Sequence, residues 1–167
     1  VFTVEEGAAD VLALSDALGW KRFAVVGHSM SCLVALHLAQ HHPERIARAV
    51  VLTPPPPRGF GADDARLAAS RALALGDDVT QDRALKERFG NRLSPGWAAY
   101  KAARWRATAD RDAAAAYVAM FARDGLPDPT APVRVPVLAV TGEQDAEPMR
   151  RDAVTRALSP LCAALTV

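Results

Sequence analysis

The sequence predicts an α/β fold in which parallel strands are flanked by helices. Three observations lead to this prediction. A strand, a long apolar helix and a second strand follow one another over 21–53. A stretch of helical character over 58–130 interrupts this pattern, and a third apolar strand follows at 137–141. We therefore expect a core made from 1–57 and 131–167, with a helical insertion at 58–130 between them.

Length, composition and charge exclude several classes of protein. The chain has 167 residues, half of them apolar, and a formal net charge of +1. Charge therefore indicates neither nucleic acid nor a membrane surface as a partner, and no apolar run reaches the length of a membrane span. The first residues show no signal-peptide pattern, and Cys32 and Cys162 form no C-x-x-C pair. We expect a cytoplasmic protein without a disulfide framework.

The first predicted element is an amphipathic helix. Thr3 and Glu6 form a capping box at its start, and Gly19 ends it. Acidic residues lie on one face and are expected to be exposed to solvent. The other face carries residues at helical spacing, namely Val4, Ala8, Val11, Leu12, Ser15 and Leu18.

A sharp turn is predicted between a strand over 21–26 and the apolar helix that follows it. Ser29 lies in this turn, where its hydroxyl would stand clear of the sheet and be reached by a base and a substrate. Such a turn strains the backbone of the serine, and bulky side chains two positions before or after it would collide. Gly27 and Ser31 occupy those two positions, and both are small.

This strand, turn and helix resemble the nucleophile elbow of the α/β-hydrolases, whose usual pattern is G-x-S-x-G. Ser31 departs from that pattern because glycine is usual there. The resemblance covers essentially all 167 residues and implies a partial α/β-hydrolase fold, the middle of the complete one. It implies that Ser29 is the nucleophile, that the backbone N–H of Met30 is one donor of an oxyanion hole, and that His28 lies beside the substrate.

A second strand is predicted over 47–53, and four prolines at 54–57 end it. Helices are then predicted at 62–75, 79–89, 95–108 and from 110 to about 121. In an α/β-hydrolase an insertion here is the lid over the active site. Trp97 and Trp105 fall in this part, and the resemblance makes them candidates to line the substrate pocket. The alternative, that the aromatic residues only pack the helices together, stays open.

The third strand ends in a turn that contains a candidate catalytic acid. Functional residues of open α/β sheets gather at the carboxyl ends of strands. The order serine, acid, histidine of the α/β-hydrolases makes Asp145 the acid, with Glu143 and Glu147 as rivals. A helix over 149–158 and the start of a strand at 163–167 are expected after this turn.

The histidine that should complete the triad is not found after the acid. The four histidines of the sequence all precede Asp145, and they are His28, His37, His41 and His42. We therefore expect the base beyond Val167 and regard the chain as an interior piece of a larger hydrolase. Such a piece would be a poor catalyst by itself, and its sheet would have an uncovered edge and an uncovered apolar face.

Two functional hypotheses follow from these observations. The first is a serine hydrolase that acts on a small-molecule carboxylic ester or lactone through an acyl-serine intermediate. The resemblance does not decide among esterases, enol-lactonases, perhydrolases and carbon–carbon bond hydrolases, and the oligomeric state stays open. The second is a non-catalytic protein of the same fold that binds a ligand or a partner.

Cofactor and metal chemistry are disfavoured by the motifs of the sequence. A nucleotide-binding domain would need G-x-G-x-x-G after its first strand, and the sequence has no such motif there. His37 and His41 are four residues apart, but no H-E-x-x-H pattern joins them. We therefore expect neither a cofactor nor a metal ion.

Overall fold

The predicted α/β fold is confirmed by a computed structural model, which describes residues 2–92 and 94–167. The helices and strands, in chain order, are α1 (Val4–Ala17), β1 (Phe23–His28), α2 (Ser31–His41), β2 (Ile46–Leu52), α3 (Asp64–Leu75), α4 (Asp78–Phe89), α5 (Pro95–Thr108), α6 (Arg111–Ala119), β3 (Val137–Val140), α7 (Arg151–Leu158) and β4 (Leu165–Thr166). The chain divides into two compact units, one formed by residues up to 62 together with 119–167 and the other by 63–118. The role of 58–130 as a lid stays a prediction.

In the described residues four strands form one parallel sheet in the order β1-β2-β3-β4. The register places His28 opposite Leu52 and Leu52 opposite Val140. The carboxyl ends of β1, β2 and β3 are therefore level with one another. Residues that follow these three strands lie together along one edge of the sheet.

One face of this sheet is buried and contains the core. Helix α2 packs on it, with Leu33 and Leu36 fully buried, and α1 packs on α2. The strands alternate, so that Val137 and Ala139 of β3 are buried.

The opposite face of the sheet is exposed in the described part of the chain. Val26 is 64% exposed, Leu138 42% and Val140 44%. Among the described strands β1 pairs only with β2, so that its outer edge is also uncovered. Both features agree with the uncovered edge and apolar face expected from the sequence.

Strand β1 lies two residues later than its predicted position. The sequence predicted 21–26, whereas the strand runs over Phe23–His28. The carbonyl of Lys21 accepts a hydrogen bond from the Arg45 side chain, and pairing with the neighbouring chain begins at the N–H of Phe23. At the other end, Gly27 and His28 continue the ladder with β2 up to the turn.

Helix α1 begins as predicted but ends before the last residue of its predicted apolar stripe. The Thr3 hydroxyl accepts a hydrogen bond from the N–H of Glu6 at 3.2 Å. Leu18 is the C-cap residue and is 52% exposed, because Gly19, at φ 71°, turns the chain away from the helix. Ser15, which belongs to the same predicted stripe, is buried, and its hydroxyl donates to the Leu12 carbonyl at 2.8 Å.

Helix α6 is shorter than the predicted helix, which extended to about residue 121. It ends at Ala119 and widens into a π-helical turn over Met120–Asp124. Gly125 closes this turn with a positive φ of 68°, and its N–H donates to the Met120 carbonyl at 2.8 Å. A side chain at position 125 would come within 2.3 Å of the Pro57 carbonyl oxygen, so glycine is required there.

Candidate active site

Ser29 lies in the turn between β1 and α2 with a strained backbone. Its φ is 53°, in the left-handed region that residues other than glycine rarely adopt. Its N–H donates to the Leu52 carbonyl at 2.9 Å, and its own carbonyl accepts from the N–H of Cys32 at 3.0 Å. These bonds hold the strained conformation between strand and helix, and the side chain is exposed.

The small residue predicted two positions before Ser29 is required by the packing. A Cβ atom on Gly27 would lie 2.6 Å from the Ser31 carbonyl oxygen and 2.7 Å from the Cys32 Cα. Both distances are far below van der Waals contact, and the atoms it would meet belong to the backbone. Gly27 therefore allows α2 to pass directly over the end of β1.

Ser31, two positions after Ser29, forms hydrogen bonds that sequence reasoning missed. Its hydroxyl accepts from the N–H of His28 at 2.8 Å and donates to the carbonyl of the same residue at 3.0 Å. The sequence pattern marked Ser31 only as a departure from glycine. Because serine readily bonds backbone groups three residues away, its presence at a helix start was the available signal.

Met30 is the N-cap residue of α2, with helical backbone angles of φ −50° and ψ −42°. The first turn of a helix points its N–H groups away from the helix body and favours negative charge. Further along this turn, the N–H groups of Cys32 and Leu33 donate to the carbonyls of Ser29 and Met30 at 3.0 and 3.1 Å. The predicted oxyanion donor thus lies at the helix end directly after Ser29.

Asp145 is held in the turn that follows β3. Its Oδ2 atom accepts a hydrogen bond from the N–H of Gly142 at 2.8 Å, and its own N–H donates to the Gly142 carbonyl at 3.1 Å. The Arg150 guanidinium donates to the Asp145 carbonyl at 2.8 Å. Asp145 is half-buried, whereas the rival carboxylates Glu143 and Glu147 are exposed. Among these three, Asp145 is the one whose carboxylate the turn holds in place.

The register of the sheet brings the serine and the acid to the same edge. Ser29 follows His28, and Gly142 comes two residues after Val140, which lies level with His28. Strand β2 lies between them, and two strand spacings amount to about 10 Å. One side chain placed between the two residues can bridge such a gap.

Thr53, at the same edge of the sheet, has a strained backbone like that of Ser29, and the sequence analysis did not identify it. It follows β2 directly, its φ is 48°, and its N–H donates to the Val140 carbonyl at 2.7 Å. A β-branched residue in the left-handed region is an outlier. Its place at the carboxyl end of a strand, directly before the prolines, was the only signal in the sequence.

The other predicted substrate residues lie in different parts of the chain. His28 is exposed at the end of β1. Trp97 and Trp105 both lie on α5, in the unit formed by 63–118. The Lys101 ammonium lies 5.8 Å from the ring centroid of Trp97. Trp105 borders a cleft of about 440 Å³ inside this unit, and its buried indole N–H has no partner among the described residues.

The two thiols are poor candidates for a nucleophile. Burial raises the pKa of Cys32 to about 12, although its thiol donates to the Leu52 carbonyl at 3.2 Å. Burial also raises the pKa of Cys162 to about 11. A thiol becomes nucleophilic as a thiolate, so both cysteines are inert at neutral pH.

The histidines of α2 lie at its far end from Ser29. The rings of His37 and His41 have centroids 4.4 Å apart, and His42 Nδ1 lies 3.8 Å from a Glu44 carboxylate oxygen. Burial lowers the pKa of His37, and the neighbouring His41 lowers it further.

Across 2–92 and 94–167, no cluster of His, Cys, Asp and Glu side chains has the arrangement of a metal site. Over the same residues, no helix has both the length and the apolar composition needed to cross a membrane.

Comparisons with known proteins agree with the α/β fold of this chain. A family model described as the alpha/beta hydrolase fold matches residues 1–142. Similar solved structures include the enol-lactonase from Burkholderia xenovorans LB400, with a TM-score of 0.74 and 23% identity, and an esterase from Exiguobacterium antarcticum, with 0.75 and 15%. Both comparisons cover 98% of this chain and 63% of the other chain. An N-acyl homoserine lactone degrading enzyme matches with a TM-score of 0.67 and 22% identity, over all of this chain and 66% of its own.

Proposed function

The chain belongs to the alpha/beta hydrolase fold family, and from that premise we propose that it is the middle part of a serine hydrolase for carboxylic esters or lactones. The observation that carries the proposal is the left-handed backbone of Ser29, at φ 53°. A strained residue of this kind costs free energy and persists where the surrounding structure over-determines it, most often at a functional site. A glycine would relieve the strain but would present no hydroxyl.

The first chemical step is the attack of the Ser29 hydroxyl oxygen on the carbonyl carbon of the substrate. A carbon–oxygen bond forms, the hydroxyl proton passes to a base, and the carbonyl electron pair moves onto the oxygen. The N–H of Met30, at the start of α2, is proposed as one donor that stabilises this oxyanion. When the carbonyl re-forms, the alkoxide departs with the proton from the base and leaves an acyl-serine. In a lactone this alkoxide stays tethered to the acyl group.

The second step restores the enzyme. Water loses a proton to the same base and attacks the acyl carbon. The bond to Ser29 breaks, and the serine oxygen takes the proton back as the acid is released. We propose that the base is a histidine from outside these 167 residues, because no histidine follows Asp145. Asp145, held by Gly142 in the turn after β3, is proposed to orient it.

The substrate class is supported by the similar structures, among which are a lactonase and an esterase. At 23% and 15% identity, the similarity to these structures shows only a shared fold, so the reaction itself is our proposal. His28 is proposed to lie beside the substrate because it is exposed and adjacent to Ser29. That Trp97 and Trp105 contact the substrate stays a prediction from the family resemblance. A reducing compartment such as the cytoplasm suits two free, buried cysteines.

Replacement of Ser29 by alanine tests the proposal directly. The protein at its natural length would be assayed with simple esters and lactones, and we expect Ser29→Ala to reduce turnover to the background rate, because the acyl intermediate cannot form. The exposed Ser159, after α7, offers a matched control, and Ser159→Ala should keep full turnover. Wild-type turnover by Ser29→Ala would refute the assignment.

A further inference from the structure

We propose that Ser31 is a positioning residue for the nucleophile, because its hydroxyl closes the turn that holds Ser29. The inference rests on the proposed function, since it concerns the same turn. The Ser31 hydroxyl accepts from the N–H of His28 at 2.8 Å and donates to the His28 carbonyl at 3.0 Å. One hydroxyl can do both because it has one donor and two acceptor lone pairs. A single side chain thus satisfies both backbone groups of the residue directly before the nucleophile.

The direction of these bonds explains why a side chain is needed there. The N–H of Ser29 donates to Leu52 and so points towards β2. Backbone groups of successive strand residues alternate sides, so the N–H and carbonyl of His28 point to the outer edge of β1. Among the described strands no partner lies along this edge. Without the Ser31 hydroxyl, both groups of His28 would lose their bonds within the chain.

The position of Ser31 links these bonds to the strain at Ser29. Ser31 is the first residue of α2, and His28 is the last residue of β1, so the hydroxyl joins the two elements across the strained residue. The net free energy of two hydrogen bonds is of the same order as the cost of a left-handed serine. The glycine of the usual pattern makes no such bond. Serine at this position therefore holds the end of β1 and the start of α2 together on either side of the nucleophile.

Three substitutions at position 31 test the inference in the protein at its natural length. Ser31→Ala removes only the hydroxyl oxygen, Ser31→Gly restores the usual pattern, and Ser31→Thr keeps the hydroxyl. We expect Ser31→Ala and Ser31→Gly to lower kcat for ester hydrolysis by about tenfold with an unchanged KM, because orientation of the nucleophile and not binding is impaired. Ser31→Thr should stay within about twofold of the wild type, because its hydroxyl can make the same bonds.

Two further measurements separate this inference from the proposed function. The rate of Ser29 modification by a fluorophosphonate should fall by about tenfold in Ser31→Ala, and the His28 amide should exchange its hydrogen faster by about the same factor. If the wild type is modified at Ser29 but Ser31→Ala reacts equally fast, the positioning role is wrong and the proposed function stands. A wild type that is not modified at Ser29 overturns both. A loss of kcat in Ser31→Thr as large as in Ser31→Ala also contradicts the role of the hydroxyl.

Discussion

At the residue scale, Gly27 is a position where the packing leaves no room for a side chain. Any Cβ atom there would lie 2.6 Å from the Ser31 carbonyl oxygen. We expect Gly27→Ala to lower the free energy of unfolding by about 3 kcal/mol, because the backbone of α2 must move away from β1. Chemical denaturation measures this change.

Gly96 provides the matched control for this substitution. It lies in the first turn of α5, and a Cβ atom there would meet nothing within 4 Å. Gly96→Ala should therefore be neutral or slightly stabilising, because it restricts the unfolded chain. Equal unfolding free energies for Gly27→Ala and Gly96→Ala would show that the steric account of the turn is wrong.

Asp145 is the residue on which the proposed base depends. We expect Asp145→Asn to lower kcat by about ten-thousandfold, because an amide cannot stabilise the protonated base. The asparagine carbonyl can still accept the hydrogen bond from Gly142, so the turn should be preserved. Steady-state ester hydrolysis measures the loss. Glu143→Gln and Glu147→Gln are the controls. A comparable loss of kcat in either variant would contradict the assignment of Asp145 as the catalytic acid.

Part of the site was predictable from the sequence because the constraint there is local. The choice of Ser29 and Gly27 follows from the steric demands of one tight turn. The choice of Asp145 follows from the family order of serine, acid and histidine and from the turn after an apolar strand. The strain of Thr53 was not predictable, since it depends on pairing between β2 and β3, which are far apart in the chain. The bonds of Ser31 depend on the path of the turn itself.

At the scale of elements, the Arg45 side chain joins the end of α1, the loop before β1 and the chain entering β2. Its guanidinium donates to the Lys21 carbonyl at 2.9 Å, the Ser15 hydroxyl at 3.0 Å, the Asp16 carboxylate at 2.6 Å and the Trp20 carbonyl at 3.1 Å. Lysine cannot reproduce this fork of donors. We expect Arg45→Lys to lower the free energy of unfolding by about 2 kcal/mol.

Two further substitutions separate the contribution of the ion pair from that of the bonds to the loop carbonyls. Asp16 is 65% exposed, so its ion pair is screened, and Asp16→Asn should cost less than about 1 kcal/mol. Arg48 is exposed on β2, and Arg48→Lys should be close to neutral. If Arg45→Lys lowers the free energy of unfolding as little as Arg48→Lys does, the bonds to the loop carbonyls contribute little to stability.

The boundaries of elements were less predictable than their types. Apolar runs predicted the four strands among the described residues, yet β1 begins at Phe23 because Arg45 occupies the Lys21 carbonyl. Helix α6 ends early because Gly125 closes a π-helical turn. Both endpoints are set by contacts between residues that a window of sequence does not connect.

At the scale of the whole molecule, His37 makes stability depend on pH. Burial, then His41 and His42, lower the pKa of this α2 residue below its ordinary value of 6.5, and only Glu5 of α1 acts in the opposite direction. The folded state therefore binds fewer protons than the unfolded state, and stability falls as the pH drops below about 6.5. We expect His37→Gln to reduce the fall in unfolding free energy between about pH 7 and pH 5. A fall that is unchanged in this variant would contradict the account.

The sheet as a whole shows what the sequence could and could not predict. Its parallel strands follow from their apolar runs and from the helix between the first two. The apolar face of Val26, Leu138 and Val140 was expected to be uncovered, but which residues would form it depends on strand register.

The chain spans 63% of the lactonase and esterase chains that share its fold.

The central claim is that Ser29 is a nucleophile, and covalent labelling tests it most directly. The protein at its natural length would be treated with a fluorophosphonate and digested with trypsin, and the peptide covering 23–45 would be sequenced by mass spectrometry. We predict one adduct per chain on Ser29, none on Ser31 of the same peptide, and none anywhere in Ser29→Ala. An unlabelled protein, or an adduct that persists in Ser29→Ala, would contradict the account.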